Sequence, residues 1–266
     1  SDGIGAASAR MLAGRDENVI LVGRSEDKTA ACARSLNSPY FCADFTRLDE
    51  VRTLAERLRD MCPRIDVLAN NAGGIMGKRE MTVDGFEKTM QVNHLAPFLL
   101  THLLIDLLVA AGAKVVNTSS IAARRFGHLD LDDLDNHKAY SPSKAYGDGK
   151  LANILFTKEL HRRHHGQGVN TVAFHPGNVA TSFASESTSW LRYVYHTPVK
   201  HLALISPERG AERLLWLVDG APGVDWASGE YYEKNKRARS HAQAGDQDLA
   251  REFWERSGQM LGLITD

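Results

Sequence analysis

Short apolar runs alternate with longer stretches of helical periodicity along almost the whole chain, and this alternation limits the fold more than any other feature. Residues 18–23, 39–43, 65–69, 114–118, 169–174 and 229–232 have strand length and are rich in apolar and aromatic side chains. Around them, residues 4–13, 27–36, 48–61, 83–110, 143–165, 207–218 and 246–259 read as helices. Strand–helix–strand units of this kind build a mostly parallel sheet that must be covered on both faces. The predicted class is therefore α/β, a doubly wound sheet with helices on both faces. A chain of 266 residues, 43% of them hydrophobic, suits one domain spanning residues 1–266.

Charge narrows the partners. Lysine and arginine number 32 against 33 acidic residues. A chain this balanced has no field to gather nucleic acid or an anionic membrane, so a small molecule is the expected partner. Cys32, Cys42 and Cys62 are odd in number and lack metal-ligand spacing. They read as reduced thiols and point to a cytoplasmic setting. The sequence has no apolar stretch of about eighteen residues to span a bilayer, and its opening residues do not read as a signal peptide.

Two segments interrupt the rhythm after strands, where open α/β sheets bind ligands. Residues 121–136 are acidic at Asp130, Asp132, Asp133 and Asp135, which reads first as a solvated surface. Residues 182–205 carry Phe183, Trp190, Tyr193 and Tyr195, and a loop of that length predicts a substrate lid.

The residues with chemical potential sit beside the strands. Gly3, Ile4 and Gly5 open a helical pattern, so backbone amides at that helix start can approach a pyrophosphate. Arg24 ends the next strand, where a dinucleotide site meets the adenosine ribose. A guanidinium there pairs with a 2′-phosphate, which favours NADP over NAD. Asp44 follows the strand at 39–43 and either accepts from an adenine amino group or caps the following helix. Asn70, Asn71, Ala72 and Gly73 form a turn small enough to lie against a cofactor.

Two Tyr-x-x-x-Lys pairs compete for a proton-transfer role: Tyr140 with Lys144 and Tyr146 with Lys150. Pro142 suits the first helical position and Ser141 the N-cap, which leaves Tyr140 outside the helix. Tyr146 and Lys150 then lie one turn apart on one face. A phenol titrates near ~10, so it needs a neighbouring cation to work as a base at neutral pH. Ser120, just past a Val-rich strand, can donate to a substrate oxygen. The helix carrying the pair also contains Gly147 and Gly149, each costing about 1 kcal/mol relative to alanine, so packing must hold it. His161, His164 and His165 read as imidazoles at a helix end rather than as metal ligands.

With these residues in place, the chain resembles the short-chain dehydrogenases/reductases, and within them the retinol-dehydrogenase-like branch. The resemblance rests on residues 2–5, Asn70 to Gly73, Val92 to Leu95, Val116 to Ser120, Tyr146 to Thr157, His175 to Gly177 with Thr181, Ser206 to Ala211 and Trp254 to Ser257. It covers essentially the whole chain and implies a Rossmann-like fold with hydride transfer between nicotinamide and a hydrophobic carbonyl or alcohol. It further implies Tyr146 as proton donor or acceptor, Lys150 on the nicotinamide ribose and Ser120 on the substrate oxygen. Asn93 would sit in a helix and hold the water of a proton relay. Pro176, Gly177, Val179 and Thr181 would border the nicotinamide. Homodimers through the long helices are common in the family. Its first strand is central, and Ser1 to Gly5 read as the second half of a glycine-rich turn. The expectation is that a strand precedes Ser1 and that the chain as given leaves its sheet in two parts. A nucleotide-sugar epimerase or dehydratase, or a non-catalytic NADP-binding sensor or scaffold, are the alternatives.

Overall fold

The computed structural model describes residues 2–178 and 205–263. Its strands are β1 (Leu21–Gly23), β2 (Tyr40–Cys42), β3 (Val67–Asn70), β4 (Lys114–Thr118), β5 (Asn170–His175), β6 (Glu230–Glu233) and β7 (Lys236–Arg237). The helices before the longest one are α1 (Gly3–Ala13), α2 (Glu26–Leu36), α3 (Leu48–Met61), α4 (Lys88–Met90), α5 (Ala96–Leu103), α6 (Ile105–Ala111) and α7 (Ala122–Phe126). They are followed by α8 (Pro142–His164), α9 (Pro207–Asp219) and α10 (Gln247–Met260).

β3, β4, β5 and β6 pair in parallel and in that order, and β7 adds antiparallel to β6. β1 and β2 form a separate parallel pair. β1 and β3 are not hydrogen-bonded to each other, so the sheet is in two parts as the sequence reading expects.

Alternation along β4 assigns the two layers. Val115 faces a core built with Leu54, Phe98, Leu151 and Phe253, from α3, α5, α8 and α10. Val116 faces the opposite side with Val172, Phe174 and Leu214, against Ile4 and Met11 of α1. The sheet is thus covered on both faces, which confirms the α/β class.

Helix starts follow local chemistry. Ser141 accepts from the Lys144 N–H at 3.1 Å with Pro142 in the first position. Ser206 does the same for Arg209 ahead of Pro207, and Asp246 for Leu249. Each side chain satisfies an N–H that lacks a partner within its own helix.

The single helix expected over 83–110 is broken in three places. Residues 82–87 close a turn instead, with Thr82 N–H donating to Phe86 O at 2.9 Å. A π-turn then spans Gln91–Leu95, where Pro97 has no N–H for the Asn93 carbonyl four residues earlier. At Leu104 the axis bends by 64°. Arg59 takes the Leu103 carbonyl at 3.0 Å while pairing with Asp106, drawing that carbonyl out of the helix. Helix α7 was not foreseen, because it lies inside the segment read as an acidic loop. Among the described residues no single helix is long and apolar enough to cross a membrane.

Candidate active site

A cleft lies between β1 and β3 and reaches the carboxyl ends of β4 and β5. Gly3, Ile4, Gly5, Arg24 and Asp44 line it. So do Asn70, Ala72, Gly73, Ser120, Tyr146, Lys150, Pro176 and Gly177. Val179, Thr181 and residues 182–204 of the predicted lid lie outside the described residues.

Helix α8 runs through the core, and its residues Ala145 to Thr157 are all buried. Tyr146 and Lys150 occur one turn apart on it, and the Lys150 ammonium lies 5.6 Å from the centre of the Tyr146 ring. That ammonium donates to the Thr118 carbonyl at 3.1 Å, which ties it to the end of β4. Asn153 shares the same carbonyl, also at 3.1 Å. Burial pushes Lys150 down to about 7, so near neutrality its charge is easily gained or lost. Ser120 lies two residues beyond Thr118, and its hydroxyl accepts the Ala122 N–H at 3.2 Å. The serine proton is left for an oxygen in the cleft. Ala122 also packs with Ile75 against Tyr146, giving an apolar wall beside the phenol.

The competing pair is separated, as the Pro142 argument predicts. The Tyr140 hydroxyl donates to Gly77 O at 3.3 Å from outside the helix. Lys144 turns instead to Asp148 and His128.

Asn93 is fully buried in the π-turn. Both protons of its side-chain amide are used, one on Gly74 O at 2.9 Å and one on Thr89 O at 2.8 Å. Its Oδ1 accepts the Gly74 N–H at 3.1 Å. The side chain thus clamps the loop after β3, and one Oδ1 lone pair is all it has left for water. Gly73, at φ +155°, leaves no room for a side chain: a Cβ there would lie 2.5 Å from Asn93 Oδ1 and 3.0 Å from Lys150 Nζ.

Residues read as cofactor ligands divide into two groups. Gly5, in the first turn of α1, lies so close to Asn71 that a Cβ would be 3.2 Å from its Nδ2. Asn71 in turn accepts from the Thr118 hydroxyl at 3.2 Å, so α1, the β3 turn and β4 meet around one narrow cradle. Arg24 is exposed at the end of β1. Gly177, at φ +100°, sits under Arg213, which donates to Pro176 O at 2.9 Å. These positions fit a dinucleotide laid across strand ends, because a Cβ would fill the cradle.

Asn70 lines the cleft, but its side chain turns inward. It points into the core, donating to Thr101 Oγ1 at 3.1 Å and Asn117 Oδ1 at 2.9 Å. Asn117 continues to Thr157, so Asn70 belongs to a buried polar ladder joining α5, β4 and α8, and only its backbone borders the cleft. Asp44 accepts the Thr46 N–H at 2.9 Å in a local turn. It does not cap α3; Asp84, distant in sequence, accepts the Leu48 N–H at 2.9 Å.

Sequence reasoning missed Thr118, Ile75 and Ala122 as parts of the site. Thr118 acts through its carbonyl, which no side-chain pattern advertises. His175 also lines the cleft, and burial pushes it down to about 4, so it is neutral at physiological pH. The acidic residues of 121–136 are turn-formers: Asp133 accepts from His137 and Lys138 N–H groups, and Asp130 pairs with Lys138 at 3.0 Å.

Fold and site together define an NAD(P)-dependent oxidoreductase acting on CH–OH/C=O groups. The chain belongs to the short-chain dehydrogenase family, whose profile matches residues 1–192, and to its retinol-dehydrogenase-like branch. It is 41% identical to a Streptomyces sp. (strain C5) protein named as a daunorubicin C-13 ketoreductase, over 98% of this chain and 90% of that one. It is 36% identical to human retinol dehydrogenase 13, over 98% of this chain and 82% of the relative. A solved structure from Mycobacterium paratuberculosis, of an uncharacterized protein, matches with TM-score 0.77 and 31% identity, covering 98% of this chain and 90% of that one.

Proposed function

We propose that the protein is an NADP-dependent reductase or dehydrogenase of a hydrophobic carbonyl or alcohol. The observation that carries this reading is the joint placement of Tyr146, Lys150 and Ser120 where α8 meets the end of β4. When bound, the nicotinamide supplies or accepts the hydride. Ser120 donates its free proton to the substrate oxygen and fixes its position. Tyr146 gives a proton to that oxygen, or takes one from it.

A charged Lys150 beside the Tyr146 ring favours the phenolate over the phenol. Burial brings Lys150 down to about 7, so that charge is gained or lost near physiological pH. Asn93 contributes through the loop it clamps and through its carbonyl. Pro97 denies that oxygen its α-helical donor, which suits it to hold a relay water.

Arg24 supports NADP over NAD, since its exposed guanidinium ends the strand beside the adenosine end of the cleft. Ile75 and Ala122 support an apolar substrate, as do the relatives named for retinol and for daunorubicin C-13. The three unpaired cysteines accord with a cytoplasmic setting. The test is oxidation of NADPH and NADH against a panel of aldehydes and ketones graded in apolar area. NADPH oxidation rising with apolar area supports the reading, and failure of every carbonyl with either dinucleotide removes it.

A further inference from the structure

The second Tyr-x-x-x-Lys pattern leaves Lys144 without a part in proton transfer, and its neighbour Asp148 carries a side chain only 3% exposed. The two form an ion pair one helical turn apart, at 2.6 Å. Both also hold one residue across the gap to the segment after Ser120. Asp148 Oδ1 accepts the His128 N–H at 2.7 Å, and Lys144 Nζ donates to the His128 carbonyl at 3.1 Å. The next residue is held in the same manner from the other side. Gln243 accepts the Leu129 N–H at 3.0 Å and donates to the Leu129 carbonyl at 2.8 Å.

All four polar backbone groups of two consecutive residues are therefore held by side chains. Just before them, Gly127 lies against Gly147 of α8 with no side chain between: a Cβ on Gly147 would be 2.6 Å from Gly127 N. Helix α7 is thus fixed at both ends. One end is Ser120, beside Ser119, whose hydroxyl donates to Lys150 O at 2.7 Å; the other end is the grip on His128 and Leu129. The helix between them carries Ala122, which packs against Tyr146.

We infer that Asp148, with Lys144 and Gln243, is a positioning residue that holds α7 and sets the substrate-side wall against Tyr146. Tyr146 and Lys150 face the cleft, while Lys144 and Asp148 face away from it on the same helix. Substrate geometry and proton transfer are thereby fixed by one rigid element. This deepens the proposed function and rests on it for its kinetic consequences, but the grip itself is tested without turnover.

The experiment compares Asp148→Ala and Asp148→Asn, with Gln243→Ala approaching the same segment from the opposite side. Trypsin probes the bonds after Arg124 and Arg125, and nonanal with NADPH supplies the kinetics. Asp148→Ala loses both bonds and is cut at these sites at least about tenfold faster than the parent; Asp148→Asn keeps an acceptor for the His128 N–H and recovers most of the resistance. For nonanal, KM rises at least about tenfold in Asp148→Ala and Gln243→Ala, while NADPH affinity stays within about twofold. Unchanged trypsin resistance in both Asp148→Ala and Gln243→Ala overturns the grip, whether or not the protein turns over nonanal. Faster cutting with KM unchanged, or a rise in KM accompanied by a comparable loss of NADPH affinity in both alanine variants, overturns the positioning role.

Discussion

Gly149 and Asn93 touch across the junction of α8 and the π-turn: a Cβ on Gly149 would stand 3.0 Å from the Asn93 Cβ. The glycine that weakens α8 by helix propensity is the one that lets the helix approach Asn93. Asn93 cannot move aside, because its three hydrogen bonds bind it to Gly74 and Thr89.

Gly149→Ala therefore loses stability despite its better propensity. Overpacking costs about 1–3 kcal/mol and the propensity gain returns about 1 kcal/mol, leaving a net loss on the order of 1 kcal/mol. A urea melt measures it, and kcat should fall with it as the Gly73 loop shifts. A melt midpoint above the parent's would show that Asn93 has room to yield.

Arg24→Ala should cost NADPH about 2 kcal/mol of binding, or roughly thirtyfold in KM, for the loss of a charge-assisted pair. NADH, without the 2′-phosphate, should change by less than about threefold. Equal losses for both dinucleotides would take Arg24 out of cofactor discrimination.

Asn70→Ala separates the core reading from the cofactor reading. It strands Asn117 Oδ1 in the buried ladder and should destabilise the fold by about 1–3 kcal/mol, while KM for the dinucleotide barely changes. A large KM change at unaltered stability would return Asn70 to the cofactor site.

Lys150 predicts a pH dependence of stability. Burial lowers its pKa from 10.5 to about 7, so the folded protein is penalised when this lysine is charged. The penalty is complete below about pH 7, shrinks as pH rises between about 7 and 10.5, and is absent above. Over that window the unfolded chain binds more protons, so stability should rise with pH. Lys150→Met should flatten the rise, as followed by denaturant melts at several pH values. A slope identical in the parent and Lys150→Met would place the ammonium in a solvated site.

Much of the fold was legible because burial imposes its own periodicity. The 114–118 strand and the 48–61 helix coincide with β4 and α3, since Val115 and Val116 face opposite cores and Leu54 and Leu58 share a buried face. The break of 83–110 was not legible. Its apolar pattern continues through Leu104, and the bend depends on Arg59, which reaches Leu103 from another helix. The choice of Tyr146 over Tyr140 was readable from Pro142 and Ser141 alone, because a helix start is local chemistry. Asn70 and Asp44 were not readable at that level. Which way an amide or carboxylate turns depends on Thr101, Asn117 and Thr46, which meet it only in the folded chain. The role of Gly149 was equally hidden, since its reason is a contact with Asn93.

The most direct measurement compares Tyr146→Phe with the parent for steady-state turnover and for dinucleotide binding by fluorescence titration. Loss of the phenolic proton should lower kcat by roughly 10³-fold, within the range general acid–base catalysis supplies, while dinucleotide affinity stays within about twofold. A Tyr146→Phe protein that keeps its turnover would contradict the account, since the other hydroxyl beside Lys150, that of Ser119, is already committed to the Lys150 carbonyl.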